Sequence, residues 1–226
     1  MKKLLYVPII HMSADMGSVS ASIDKKGTAL CGEENWKRHK ETVASLWGSI
    51  SNYLDTIDAN GLKIYQDGLV ENGELGMKIV QDGVSKGSKN YEIISRLIQR
   101  GAKLIKTEEL SIIMKEYGHV IKIAQAKSSP ERLIAALKYK FEKGKLLKGR
   151  DEFIARRINE TLNDGETGII FIGAQHEIIP RLSKDIEVQE LKKREKLQRY
   201  QRTLLYARRR KAQFEELAKY LSSPIS

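Results

Sequence analysis

A short apolar run lies near the beginning of the chain, Leu4-Leu5-Tyr6-Val7-Pro8-Ile9-Ile10-His11, and a second lies near its end, Gly168-Ile169-Ile170-Phe171-Ile172-Gly173-Ala174-Gln175-His176. Each run has the length and composition of a buried β-strand, and each ends in histidine. Helical patterns separate them, as expected for parallel strands joined by crossovers. Parallel strands place their carboxyl ends along one edge of the sheet, where such sheets bind ligands. The imidazoles of His11 and His176 could therefore share one site.

The sequence between these two runs alternates between helical and extended patterns. Helices are predicted around residues 35–58, 75–84, 91–100, 110–121, from Ser129 onward and over 151–162, and short strands over 62–66 and 102–106. Repeated βα order with few hairpin signals predicts an α/β fold, with a mostly parallel sheet flanked by helices. We assign this α/β domain to residues 1–190 and a long, basic, amphipathic C-terminal helix to residues 191–226.

Composition is that of a water-soluble domain. The chain has 226 residues, of which 41% are hydrophobic, and no apolar run approaches the length of a membrane span. The start, Met1-Lys2-Lys3 and seven apolar residues, superficially resembles a signal peptide, but it serves better as a first strand. The single cysteine, Cys31, excludes an intrachain disulfide and fits a reducing compartment. We therefore expect a cytoplasmic protein.

The formal net charge of +11 is concentrated near the C-terminus. Residues 192–219 contain eleven Lys or Arg and three Glu. Within this segment an apolar stripe follows a 3-4 spacing that Lys211 interrupts, at Leu197, Tyr200, Leu204, Ala207, Phe214, Ala218 and Leu221. Such a helix could pair with another copy to form a homodimer or fold back on the body. Its cations could contact nucleic acid or an anionic membrane surface, although a charge run is also typical of a solvated face.

The predicted strand ends bring together side chains that can carry chemistry. The first strand delivers His11, with Asp15 shortly after it, the second delivers Asp67, and the last delivers His176. Two imidazoles and a carboxylate could ligate a divalent metal such as Mn, Co or Zn, which would make hydroxide available near neutral pH. Alternatively, one histidine acts as general base and Asp67 or Asp15 orients it. The third interpretation is that both histidines only bond loop backbone.

Four motifs, in this order, resemble the TraB/TIKI group and, more distantly, the ChaN and erythromycin-esterase-like proteins. They are Pro8-Ile9-Ile10-His11, Tyr65-Gln66-Asp67, the Arg-led helix that begins Arg150-Asp151-Glu152-Phe153, and Gly173-Ala174-Gln175-His176. In this chain Pro8 stands where the first motif of the group has glycine, and Asp67 where glutamate is usual. The resemblance implies an α/β fold whose two histidine motifs and acidic residue line one pocket.

The resemblance also implies roles for individual residues. In TIKI-type members the pocket supports metal-dependent peptide hydrolysis, so His11, Asp67 and His176 resemble metal ligands or catalytic groups, and Arg150 a substrate or oxyanion clamp. The expected function is a metal-dependent hydrolase acting on a peptide or small molecule. The alternatives are a non-catalytic ligand-binding or regulatory protein and a nucleic-acid-associated protein that uses residues 192–219. The glycine pattern matches no phosphate-binding loop, so no nucleotide cofactor is expected.

Overall fold

The fold is α/β, built on a five-stranded, all-parallel sheet. The computed structural model describes residues 1–10 and 20–225. Its strands are β1 (Lys2–Ile9), β2 (Lys63–Gln66), β3 (Lys103–Ile105), β4 (Thr167–Gly173) and β5 (Ile186–Glu190), in the order β3-β2-β4-β1-β5. The predicted fold class and four predicted strands are therefore confirmed. The edge strand β5 is an addition that the sequence pattern did not reveal.

Eight α-helices accompany the sheet in the described residues. They are α1 (Ser20–Cys31), α2 (Glu33–Thr56), α3 (Gly73–Ser85), α4 (Lys89–Gln99), α5 (Leu110–Ala124), α6 (Ser129–Thr161), α7 (Arg194–Leu204) and α8 (Lys211–Ser222). Gly101, just beyond α4, has a φ of 100°, which glycine adopts without the strain of a Cβ atom, and this ends the helix before β3. Ser128 caps α6, where its hydroxyl accepts from the Glu131 N–H at 3.3 Å.

The two faces of the sheet have separate cores because successive strand residues point to opposite sides. Leu5, Val7 and Ile9 of β1 pack in one core with apolar residues from α2, α3, α4, α7 and α8. Leu4 and Tyr6 pack on the other side against the C-terminal half of α6. Helices thus cover both faces, as an all-parallel sheet requires.

The register of the strands brings the predicted site together. Ile9 of β1 is paired with Gly173 of β4, and Gln66 of β2 with Phe171 of β4. The residues that follow β1, β2 and β4 therefore leave the sheet at the same edge. His11 and Asp15 lie outside the described residues, whereas Asp67 and His176 lie within them.

Residues 129–161 form one long helix where two were expected. Leu133, Ile134, Leu137 and Phe141 share one face of its first half and are exposed. Periodicity shows that a helix has an apolar face but not what covers it. The first half of α6 instead forms a hairpin with α5, and we call residues 110–149 the arm.

The C-terminal segment folds back on the body as two helices rather than one. Residues 205–210 separate α7 from α8, and Lys211 is exposed at the start of α8. The stripe that was predicted across the break is nevertheless buried, and Leu197, Tyr200, Phe214 and Leu221 belong to the same core as β1. Arg208 and Lys211 are three positions apart, and like charges at that spacing disfavour a continuous helix there.

Candidate active site

Asp67 and His176 meet at the carboxyl edge of the sheet. The backbone N–H of Asp67 donates to the carbonyl of Phe171 at 2.9 Å, which fixes Asp67 against the end of β4. Its Oδ2 accepts from the Gly173 N–H at 3.1 Å and lies 3.4 Å from His176 Nε2. A Cβ atom on Gly173 would lie 3.3 Å from Asp67 Oδ2, closer than ordinary van der Waals contact. Glycine at position 173 therefore lets the carboxylate approach the strand end.

The other nitrogen of His176 faces a second carboxylate, Asp151. The Nδ1–Oδ1 distance is 2.6 Å, and Asp151 Oδ2 accepts from the Glu177 N–H at 2.9 Å. Both His176 and Asp151 are buried. Asp151 thus fixes the orientation of the imidazole, with Nε2 directed at Asp67. Sequence reasoning missed this role of Asp151, although the residue stands next to Arg150 in the third of the four motifs, which lies within α6.

Arg150 links Asp67 to two further carboxylates. Its Nη2 pairs with Asp67 Oδ1 at 2.5 Å and with Glu108 Oε1 at 2.7 Å, and Nε also donates to that Glu108 oxygen at 3.0 Å. Its Nη1 donates to Glu116 Oε2 at 3.1 Å. The guanidinium therefore uses all three of its nitrogens inside the protein, and in this arrangement it holds Asp67 rather than standing free as a clamp.

Glu108 is the second residue that sequence reasoning missed. It follows the short strand β3, and its backbone N–H donates to the Leu69 carbonyl at 2.9 Å. Its side chain is completely buried, and Oε2 has no hydrogen-bond partner among the described residues. Burial raises the pKa of Glu108, against the opposing effect of Arg150. The sequence signal for Glu108 was weak, since an acidic residue after a three-residue strand is typical of an ordinary loop.

The surrounding contacts give Asp67 and His176 opposite charges. Burial alone lowers the pKa of His176, but the hydrogen bond to Asp151 and the contact with Asp67 outweigh it and raise this pKa to about 9. Burial alone raises the pKa of Asp67, but His176, Arg150 and the Gly173 N–H hold it well below its usual range. At neutral pH the site therefore contains an imidazolium beside a carboxylate.

The described residues of the site do not by themselves suit a divalent metal. No group of three His, Cys, Asp or Glu side chains within residues 1–10 and 20–225 is placed to hold one. A cation at Asp67 would compete with the guanidinium of Arg150, and His176 offers no free lone pair while it is protonated. The predicted third ligand, His11, is outside the described residues.

The two remaining histidines contact other groups than Asp67 and Asp151. His39 is buried in α2, where its Nδ1 lies 3.0 Å from the Tyr200 hydroxyl, and burial lowers its pKa to about 4. His119 of α5 pairs with Glu142 at 3.0 Å and stacks on Tyr139. Both sets of contacts fit structural roles.

Several cations of the C-terminal segment have partners within the protein. Lys192 is buried and donates to the carbonyls of Tyr220 and Ser223 at 3.0 and 2.6 Å. Arg194 donates to the carbonyl of His176 at 2.7 Å, which ties α7 to the site. The other nine cations of residues 192–219 are exposed: Lys193, Lys196, Arg199, Arg202, Arg208, Arg209, Arg210, Lys211 and Lys219. Nucleic-acid contact through residues 192–219 stays a prediction.

Comparisons of the chain with known protein families, curated proteins and solved structures gave no match. None of the helices in the described part of the chain is long and apolar enough to cross a membrane. The function proposed below therefore rests on the fold and on the geometry of the side chains.

Proposed function

We propose that this chain is a hydrolase whose reaction centre is the pair Asp67 and His176. The observation that carries the proposal is the buried sequence of contacts Asp151–His176–Asp67–Arg150 at the carboxyl edge of the sheet. Buried ionisable groups with opposed pKa shifts, placed where parallel sheets bind ligands, are typical of acid–base sites. The resemblance to the TraB/TIKI group supports the same reaction class.

The pair provides one proton donor and one acceptor. Asp67 takes a proton from water as the water attacks the scissile bond, and His176 gives its Nε2 proton to the leaving group. Transfer of the proton from Asp67 to His176 then restores both groups, so one water is consumed and no other reactant is needed. Asp151 holds the ring orientation, and Arg150 holds Asp67.

The resting pKa values do not oppose this scheme, because both depend on the contact between the two groups. A substrate that enters between Asp67 and His176 weakens that contact. The pKa of Asp67 then rises and that of His176 falls, so the acid and the base both become stronger when substrate is bound. Before substrate binds, Asp67 Oδ2 lies 3.4 Å from His176 Nε2, so each of the two groups is the other's partner.

The proposal is tested with a panel of chromogenic peptide, ester and phosphoester substrates. For a substrate that the wild type hydrolyses, we expect His176→Gln and Asp67→Asn to reduce kcat/KM by at least about 100-fold, the usual contribution of a positioned acid or base. His119→Gln is the matched control, since it removes a histidine that pairs with Glu142 and is not one of the two proposed reacting groups. Full activity in His176→Gln would contradict the proposal. Wild-type protein that binds members of the panel but hydrolyses none of them would favour a ligand-binding protein.

The metal dependence predicted from the sequence has its own test. Metal content is measured by mass spectrometry on untagged protein, for the wild type and for His11→Ala and His176→Ala variants that are shown to fold. Near-stoichiometric manganese, cobalt or zinc that both variants lose would confirm that the two histidines share a metal, which would supply Lewis-acid activation of water. Absence of metal after loading with each ion would contradict it.

A further inference from the structure

The arm, residues 110–149, displays large apolar side chains to solvent. None of the described residues of α5 is buried, and Phe141 of α6 is 84% exposed. Eight large apolar side chains of the arm are exposed: Leu110, Met114, Tyr117, Val120, Leu133, Ile134, Leu137 and Phe141. Neighbouring exposed apolar side chains on one helix face indicate an interaction surface, whereas single exposed apolar residues do not.

Polar contacts join the two helices of the arm. Tyr139 donates to Glu116 at 2.7 Å, and His119 lies 3.0 Å from Glu142 and stacks on Tyr139. At 3.6 residues per turn, the side of α6 that carries Tyr139 and Glu142 is roughly opposite the side that carries Leu133, Ile134, Leu137 and Phe141. We call these four residues the α6 stripe. The stripe therefore faces away from α5.

The arm is also strongly basic. It contains nine Lys or Arg and three Glu, a formal charge of +6 within 40 of the 226 residues. Lys138, Lys140 and Lys145 of α6 are exposed, and the helical period places them along the margins of the stripe. An apolar stripe flanked by cations is the pattern of a helix that lies in a membrane interface.

We propose that the arm docks on an anionic lipid surface, with the α6 stripe in the acyl boundary and the flanking lysines at the phosphate headgroups. Charge complementarity selects this occupant. Two arms of the same chain would bring like charges together, since each arm has a formal charge of +6. Nucleic acid would pair with the cations but leave the apolar side chains in water. An anionic bilayer satisfies both features.

The experiment is cosedimentation of the full chain with phosphatidylcholine vesicles that contain or lack phosphatidylglycerol, at low and high salt. We expect binding to the anionic vesicles that weakens with salt, and a reduction of at least tenfold in the partition coefficient for Leu137→Ser with Phe141→Ser. The matched control is Leu205→Ser with Tyr206→Ser. It removes two comparably exposed apolar side chains beside the cations of the C-terminal segment.

All four side chains are exposed, so both double variants should keep the wild-type circular dichroism spectrum and urea midpoint. Equal binding of the Leu137/Phe141 variant and the wild type would overturn the proposal, and so would absence of binding to anionic vesicles at low salt. Sedimentation equilibrium that shows a dimer lost in the Leu137/Phe141 variant would instead make a second copy the occupant. Salt-sensitive binding to a DNA or RNA duplex that this variant retains, without vesicle binding, would identify the arm as a nucleic-acid surface.

Discussion

Replacement of Arg150 by alanine is expected to lower the free energy of unfolding by about 3–5 kcal/mol, measured by urea denaturation at pH 7. The guanidinium contacts Asp67, Glu108 and Glu116, and the first two side chains are almost or completely buried. Without Arg150 these carboxylates must either stay charged without a partner or bind protons. Both alternatives raise the free energy of the folded state, so the variant is less stable than the wild type.

Three further variants separate this explanation from a loss of packing. Arg157→Ala, a matched change on the same helix, removes a half-exposed pair with Glu160 and should cost less than about 1 kcal/mol. The loss of stability in Arg150→Lys should lie between those of Arg150→Ala and Arg157→Ala, since one ammonium group cannot make all the contacts of the planar guanidinium. Glu108→Gln in the Arg150→Ala background should recover part of the lost stability. A similar loss in Arg150→Ala and Arg157→Ala would contradict the expectation.

Sequence reasoning located much of the cluster because sheet topology decides it. Two of the positions, Asp67 and His176, follow apolar runs, and parallel strands place such positions at one edge whatever the length of the crossovers. Arg150 was found through the resemblance. The parallel pairing of β4 with both β1 and β2 explains why residues about 110 positions apart come into contact.

The missed features share a physical cause, which is that their signals are not periodic. Glu108 and Asp151 acquire their environment from Arg150 and His176, and nothing in their immediate sequence marks them as buried. Strand β5 reads Ile-Glu-Val-Gln-Glu and lies at the edge of the sheet, where polar residues are tolerated and the apolar signal is weak. The α6 stripe shows the reverse, a strong periodic signal with no cover in the described structure.

The second large expected effect is a loss of stability as the pH rises from about 6.5 to 9. The pKa of His176 is raised to about 9 in the native protein and lies near 6.5 in the unfolded chain. The native state therefore holds a proton that the unfolded state releases, so this contribution is fully present below pH 6.5 and is lost as the pH passes 9. A shift of this size corresponds to about 3 kcal/mol.

The measurement is the difference in unfolding free energy between the wild type and His176→Gln across pH 6–10, which cancels the other titrating groups. The Nδ1 and Nε2 resonances of His176 report the same titration directly by NMR. Asp151→Asn should lower the His176 pKa, because the 2.6 Å contact with that carboxylate raises it.

The two predictions are linked through Asp67, since Arg150 and His176 stabilise one carboxylate. Removal of Arg150 leaves His176 as the nearest cation to Asp67, so the His176 pKa should rise further in Arg150→Ala. A lower His176 pKa in Arg150→Ala would show that Arg150 and His176 do not both act on Asp67. It would contradict the charge arrangement on which the proposed proton transfers depend.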